Sequence, residues 1–282
     1  MNRRMIESPV DLFEDTQPKV VIRKPPSRIE ILHGDCLALM PQFKQADFDI
    51  VVTSPPYNLK KNYSQYEDNK PREEYLAWLS RVFIEIERVL RPDGSFFLNM
   101  GFSSKDPWIA IDVANVARKS FVLQNEITWV KSISIGSNTY GHFTPINSDR
   151  YLNWTNERIF HFTKTGNVAL DRLSIGVPYM DSSNVARWRK KQDLRCQGNS
   201  WHVPYETIFD KSQRCQHPAT FPTMLPERCI KLHGILDHMR VLDPFVGTGA
   251  TLLAAQRLCV DAIGIELDEK YVEAAKKRLN LD

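Results

Sequence analysis

The sequence predicts an α/β fold on a mixed, mainly parallel sheet, and three features carry that prediction. Strand-length apolar runs alternate with helically spaced ones along most of the chain. Ile50, Val51 and Val52 follow one another without a polar break, as in a strand buried on both faces of a parallel sheet. The C-terminal stretch RVLDPFVGTGATLLAAQRLCVDAIGIELDEKYVEAAKKRL reads as strand, glycine turn, helix, strand, helix, so the remaining strands are expected from upstream. At 282 residues the chain is one large domain, or one domain carrying an insertion, at roughly 100 to 200 residues per domain.

Taken in order, residues 1–28 are Pro-rich and charge-mixed (QPKVVIRKPPSR) and read as an arm with little core of its own. IEILHGD, from Ile29, is a short strand ending in a turn; LALMPQF supplies one or two helical turns; DFDIVVT is the buried strand. A helix is predicted over 71–91, because Pro71 and acids open it and Leu76, Leu79, Phe83, Ile86 and Leu90 step by three and four. Arg91-Pro92-Asp93-Gly94 stops it, and SFFLNMG forms the next strand. A helix near Asp106 to Lys119 follows, then strands at NEITWVK and near 158–164. From Gly166 to Cys215 the periodicity fades into polar sequence, after which HPATFPTMLPERCIKLHGIL leads through a loop into a helix.

A 42% apolar fraction excludes a disordered or collagen-like chain. With 37 basic and 34 acidic residues the net charge is only +3, which excludes a histone-like polycation but not a nucleic-acid binder with a local basic face. That face is predicted within SSNVARWRKKQDLRCQGNSWH. Here Arg187, Arg189, Lys190, Lys191 and Arg195 meet a single acid, Asp193, with Trp188 and Trp201 among them. A solvated surface loop is the plainer account of the same run. Cys36, Cys196, Cys215, Cys229 and Cys259 are scattered with no CxxC pair, so neither a zinc ribbon nor a disulfide framework is expected, and no metal. The N-terminal residues build no signal-peptide stretch and no run approaches the roughly 18 apolar residues of a membrane span, so a cytoplasmic protein is expected.

Two segments carry chemistry. In VLDPFVGTGATLL, Gly247 and Gly249 sit at a strand-to-helix turn where a ligand can approach the backbone, and Glu266 ends the next strand 17 residues beyond Gly249, placed to accept from two ribose hydroxyls. Asp243 at the end of the first strand adds to the pattern. The third glycine of a diphosphate-binding turn is replaced by Leu252, which favours a nucleoside cofactor lacking a diphosphate, and S-adenosylmethionine fits. The other segment is Ser54-Pro55-Pro56-Tyr57, at the C-terminal end of the buried strand, where α/β proteins place ligands. A Pro-Pro step removes two N–H donors and presents carbonyl oxygens rigidly. Beside a hydroxyl and an aromatic ring, that suits a planar base with an exocyclic amine.

With these two motifs the chain resembles the amino-methylating DNA methyltransferases, whose target-base motif is (Asp/Asn/Ser)-Pro-Pro-(Tyr/Phe/Trp) and whose cofactor motif is Phe-x-Gly-x-Gly, here Ser54–Tyr57 and Phe245–Gly249. The motif order resembles their permuted beta group, with a Rossmann-like methyltransferase domain over 29–165 and 216–282 and a target-recognition region inserted at 166–215. The resemblance implies that Asp35, in HGDCLALM, faces the cofactor's adenine and that Thr220 and Phe221 line the cofactor pocket. It assigns Asp243, Phe245, Gly247, Thr248, Gly249, Glu266 and Leu267 to the cofactor site, and RYLNWTNERIFHFTK to support of the flipped base. Its implied partners are double-stranded DNA, a cognate restriction endonuclease and a second copy of the chain, in a bacterial-type cytoplasm. Residues 166–215 hold eight bases and five acids, so the local excess falls where DNA is expected.

The implied reaction is site-specific methylation from S-adenosylmethionine. Ser54 Oγ and the Pro55 carbonyl would accept the amine's N–H groups and free its lone pair for the sulfonium methyl, with the base flipped out and stacked on Tyr57. No cysteine follows a proline, which excludes the thiolate route to cytosine carbon-5. Ser54 favours cytosine N4 by family association. Adenine N6 stays open, because Asn58 gives the string TSPPYN some adenine-type character. Other readings are an RNA methyltransferase, a catalytically silent nucleic-acid-binding module, and a nicotinamide-dependent oxidoreductase, which the incomplete glycine motif and the unexplained Pro-Pro element disfavour.

Overall fold

The computed structural model of the protein describes residues 27–59, 68–141, 145–187, 192–204 and 221–281. Residues 1–26 of the arm, Thr220, Trp188, Arg189, Lys190, Lys191 and Cys215 lie outside the described residues. The chain forms β1 (Ile29–His33), α1 (Cys36–Leu39), β2 (Phe48–Thr53), α2 (Arg72–Val89), β3 (Leu90–Met100), α3 (Ile109–Ala117) and β4 (Val122–Val130). After them come β5 (Ser132–Ile135), β6 (Asn138–Gly141), β7 (Asn156–Thr163), α4 (Ser183–Arg187), β8 (Ser200–His202), α5 (Met224–His233), β9 (Arg240–Asp243), α6 (Ala250–Arg257), β10 (Asp261–Glu266) and α7 (Glu269–Leu279).

Eight strands make one sheet in the order β1-β10-β9-β2-β3-β7-β4-β8, and β5 and β6 make a separate hairpin. Among the described strands of the sheet β7 alone runs against the others, pairing antiparallel with β3 and β4. The expected mainly parallel sheet is therefore present. The first strand, β1, completes the C-terminal unit by pairing with β10, Ile29 opposite Ala262 through His33 opposite Glu266. Every residue of β2 is buried, as its unbroken apolar run requires at the centre of a two-sided sheet.

Helices cover both faces. On one, Tyr75, Leu79, Phe83 and Ile86 of α2 and Ile109 and Val113 of α3 pack on Val51, Phe96, Leu98 and Phe162. On the other, Leu225 and Ile230 of α5 and Leu252, Ala254 and Ala255 of α6 pack on Ile50, Val52, Phe97 and Val241. Each large side chain buried on α2 contributes roughly 2 kcal/mol of apolar transfer, so the packed stripe, not helix propensity, holds that helix. The helix ends at Val89, two residues before the expected 91. Leu90 turns extended and pairs with Phe48, so β3 takes in the Arg91–Gly94 stop. The helix expected from Asp106 begins at Ile109, because Asp106 is held by Arg72 Nη2 at 2.6 Å while Arg72 Nη1 reaches Asp112 at 2.8 Å.

The polar stretch 166–215 contains an unexpected strand. β8 pairs parallel to β4, setting Trp201 beside Trp129. Trp201, expected among the aromatics of a DNA-facing segment, is instead 1% exposed, because it belongs to the core under α5. Trp129 Nε1 donates to the Val203 carbonyl at 2.7 Å and fastens this edge. The β5–β6 hairpin is a second element that the sequence pattern did not reveal.

His161 of β7 is fully buried and stacked on Phe97 at 4.4 Å. Its Nδ1 meets Asn125 Nδ2 at 3.0 Å and its Nε2 meets Ser95 Oγ at 3.0 Å, and Ser95 Oγ also meets His233 Nδ1 at 2.9 Å. An amide N–H facing Nδ1 makes that nitrogen the acceptor, so the neutral ring carries its proton on Nε2. Burial first, and the neighbouring His233 second, push the His161 pKa down from 6.5 to about 3. The unfolded chain then binds a proton that the folded chain refuses, so this histidine's stabilising contribution is complete above pH 6.5 and is lost as pH falls toward 3. Relative to wild type, His161→Asn should flatten the dependence of unfolding free energy on pH between 6 and 4, by about 1.4 kcal/mol per pH unit. Denaturant titrations at several pH values measure it; identical slopes in the two proteins would refute the assignment.

Candidate active site

Because β1, β10, β9 and β2 run in the same direction, their C-terminal ends share one edge of the sheet, and there the structure leaves a cavity of about 300 Å³. Gly34, Asp35 and Cys36 follow β1, Ser54 to Tyr57 follow β2, Pro244 to Thr248 follow β9, and Leu267 and Asp268 follow Glu266 at the end of β10. Trp78 of α2, Tyr271 of α7, Lys70 and Phe221 close the walls.

The glycine turn owes its shape to two left-handed residues, Gly247 at φ +52° and Gly249 at φ +83°, the latter capping α6. Gly249 does not line the cavity. A Cβ there would lie 3.3 Å from both Ala275 Cβ and Leu279 Cδ1, so this glycine lets α7 approach the turn. Glu266 accepts from Gly247 N at 2.8 Å and Asp268 N at 2.9 Å, which holds its carboxylate against the turn. Burial raises its pKa above the usual carboxylate value, while those backbone N–H groups pull the other way. Asp243 is 1% exposed and does not line the cavity either. Thr53 Oγ1 and Thr251 Oγ1 each donate to it at 2.6 Å and Phe245 N donates at 3.0 Å, so it ties the strands and the turn together. Arg278 Nη2 donates to Thr223 Oγ1 at 2.9 Å while its Nη1 approaches the Thr248 carbonyl at 3.5 Å, linking the Phe221 segment to the turn. Phe245 meets Trp78 with ring centroids 5.5 Å apart, an apolar wall for a flat ring.

The Ser54–Tyr57 loop is held equally closely. Tyr75, fully buried in α2, donates through its hydroxyl to the Pro56 carbonyl at 2.7 Å and so pins the Pro-Pro step, both prolines of which line the cavity. Ser54 Oγ and Tyr57 Oη are 2.7 Å apart, and Tyr57 Oη reaches Glu157 Oε2 at 3.1 Å. Asn58 adopts φ +57°; its Nδ2 donates to the Lys70 carbonyl at 2.8 Å and its Oδ1 accepts from Lys70 N at 2.7 Å. The residue that gave the motif an adenine-type look therefore clamps the base of the loop.

Of the residues picked out in the sequence, Ser54, Pro55, Pro56, Tyr57, Asp35, Phe221, Phe245, Gly247, Thr248, Glu266 and Leu267 line one cavity. Arg187 and Arg195 are exposed and do not line it; Arg195 pairs through its backbone with Val177. Trp78, Lys70, Asp268 and Tyr271 were missed. Trp78 sits inside an apolar helical stripe that reads as core, and the others carry no local signal. Among the described lining residues the acids Asp35, Glu266 and Asp268 outnumber the single base Lys70, an excess that repels a diphosphate and suits a cationic ligand.

Residues 48–277 match the protein family described as DNA methylase, of the N6/N4 kind. The type II methyltransferase M.ScaI of Streptomyces caespitosus is 29% identical over 268 residues, covering 91% of this chain and 83% of that protein. The cytosine-N4-specific PvuII DNA methyltransferase shares the fold with a TM-score of 0.70 at 22% identity, over 90% of this chain and 86% of that one. TTHA0409 of Thermus thermophilus, solved in complex with S-adenosyl-L-methionine, aligns with a TM-score of 0.60 at 27% identity, over 88% of this chain and 92% of that one.

Gly249→Ala should lower the stability of the protein by about 1 to 2 kcal/mol, since the new Cβ meets both a left-handed backbone and α7. Equilibrium denaturation measures the loss, and an unchanged midpoint would show that the turn does not need a glycine there.

Proposed function

The chain belongs to the N6/N4 DNA methylase family, and from that membership we propose that it moves a methyl group from S-adenosylmethionine to the N4 amine of a cytosine turned out of duplex DNA. The observation that carries this reading is the single cavity that brings Ser54–Tyr57 together with the Gly247 turn and Glu266. The residues fit the cofactor. Glu266 keeps acceptor capacity for two ribose hydroxyls beyond the backbone N–H groups of Gly247 and Asp268, Phe245 and Trp78 offer an apolar wall for the adenine, and Asp35 lines the same cavity. The excess of acids suits a ligand bearing a sulfonium and an ammonium in place of phosphates. When bound, S-adenosylmethionine supplies an electrophilic methyl group on a positively charged sulfur.

The protein's own residues then supply placement. An exocyclic amine is a weak nucleophile because its lone pair is delocalised into the ring. Ser54 Oγ and the Pro55 carbonyl accept its two N–H groups, which favours a tetrahedral nitrogen and localises the lone pair toward the methyl group. Tyr75 holds the Pro-Pro carbonyl geometry fixed before substrate arrives, so little reorganisation is needed in the transition state. Tyr57 offers its ring to the extruded base, and Trp78, Phe221 and Phe245 keep water from the reacting atoms. Ser54 at the first motif position supports cytosine N4. Arg187 and Arg195, on the exposed side of the 166–215 region, are assigned to DNA phosphates.

Nucleoside mass spectrometry on DNA from a host expressing the protein tests the target base: N4-methylcytosine is expected, and N6-methyladenine alone would transfer the reading to adenine. Ser54→Ala should lower kcat by about 100-fold and leave cofactor affinity within about twofold, an interaction lost mainly in the transition state. Equal loss of both would remove Ser54 from the chemistry. Arg187→Ala combined with Arg195→Ala should weaken duplex binding and flatten its dependence on salt concentration. An unchanged slope would return those residues to the solvated surface.

A further inference from the structure

Behind the Ser54–Tyr57 loop lies a buried polar cluster that the reading above does not use. Glu157, at the start of β7, is 8% exposed, and Asn99, near the end of β3, is 6% exposed. Glu157 Oε1 accepts from Lys131 Nζ at 3.0 Å, while Oε2 accepts from Asn99 Nδ2 at 2.8 Å and from Tyr57 Oη at 3.1 Å. Asn99 Nδ2 also donates to Tyr57 Oη at 2.7 Å. Gly101 makes room for this approach, because a Cβ there would stand 2.7 Å from Tyr57 Cε2 and 3.3 Å from the Glu157 carboxyl carbon.

The carboxylate in this cluster sets a preferred direction for the chain of protons around it. Tyr57 Oη has one proton and two acceptors in reach, Ser54 Oγ and Glu157 Oε2; the buried carboxylate is the stronger acceptor and can only accept, so the phenolic proton is assigned to Glu157. One lone-pair position of Tyr57 Oη takes the Asn99 N–H. The Ser54 hydroxyl, 2.7 Å from Tyr57 Oη, meets the other, and with the phenolic proton already committed it is Ser54 that donates. The Asn99 amide cannot turn over, since that would set its carbonyl against the Glu157 carboxylate. Its own Oδ1 is buried with no hydrogen-bond partner among the described residues, a cost of holding this orientation.

Building on the amine-methylation reading, we propose that Glu157 is a positioning residue for methyl transfer: by drawing the Tyr57 proton it turns the Ser54 proton away from the cavity and presents Ser54 Oγ to the substrate amine as an acceptor only. Lys131 fixes the carboxylate from its other side. If the chain ran the opposite way, the Ser54 proton would face the amine's own N–H groups, and the arrangement that localises the nitrogen lone pair would be lost.

The test is a double-mutant cycle on the full-length protein, with labelled S-adenosylmethionine and duplex DNA. In Glu157→Gln the amide oxygen turns to Lys131 and its NH₂ confronts Tyr57 Oη, so kcat should fall about tenfold while cofactor affinity stays within about twofold. Tyr57→Phe keeps the aromatic face and removes the relay, and should likewise lower kcat. In the Tyr57→Phe background, adding Glu157→Gln should cost less than about twofold, because the step through which Glu157 acts is already gone. Equal losses from Glu157→Gln in both backgrounds, or no loss in the wild-type background, would overturn the proposal. Should Glu157→Gln alone fail to bind cofactor, Glu157→Gln with Lys131→Met removes the buried charge pair together and carries the same comparison. A wild-type protein that transfers no methyl to DNA tells against the methylation reading itself, before any variant is compared.

Discussion

The buried carboxylate of Asp243 fastens the two parts of the cavity to each other. Thr53, the residue before Ser54, donates to one of its oxygens, and Thr251, in the first turn of α6, donates to the other. The strand that leads into the Pro-Pro loop and the helix that follows the glycine turn thus meet on one side chain, although Thr53 and Asp243 are 190 positions apart in sequence. Burial lifts the Asp243 pKa to about 6 against the pull of those hydrogen bonds and that of Phe245 N. The ionised form is therefore less favourable in the fold than in water, and the stability this group lends below its unfolded value is lost as pH rises through about 6. Three short-range donors at this one carboxylate keep the distance between the two loops fixed, and a methyl-transfer site needs that distance held to a fraction of an ångström.

Strand direction decides what reaches the cavity edge. Parallel strands deliver their C-terminal ends, so β1, β2, β9 and β10 contribute the residues that follow them. β7 runs the other way and delivers its beginning. With Trp129 opposite Glu157 and Met100 opposite Arg158, the first residues of β7 lie beside the ends of β3 and β4. That is how Glu157 of β7, Asn99 of β3 and Lys131, just past the end of β4, come to stand behind a loop carried by β2.

Charge is divided in the same manner. The lining of the cavity is acidic, while Arg187 and Arg195 stand exposed outside it. The acids thus lie where a cationic cofactor is held, and the two arginines lie apart from them.

Local pattern was enough for much of this. The helical spacing of Leu79, Phe83 and Ile86, the unbroken Ile50–Val52 run, the Pro-Pro step after it and the Gly247–Glu266 unit each state their geometry within a few residues, since periodicity and special backbone residues act locally. By itself the sequence determined the mainly parallel sheet, both motifs and most of the cavity wall. It misplaced Trp201, because a three-residue strand is too short to show a period and its burial depends on pairing with β4, some 70 residues earlier. It gave the TSPPYN string some adenine-type character through Asn58, and only the fold shows that side chain bonded to the Lys70 backbone. Only the tertiary structure decided that Asp243 and Gly249 support the cavity without lining it, that Trp78 turns its ring toward Phe245, and that Glu157, Asn99 and Lys131 form one buried cluster. Each of these follows from which strands become neighbours and in which direction they run, and such long-range pairing leaves no mark on the residues immediately beside it.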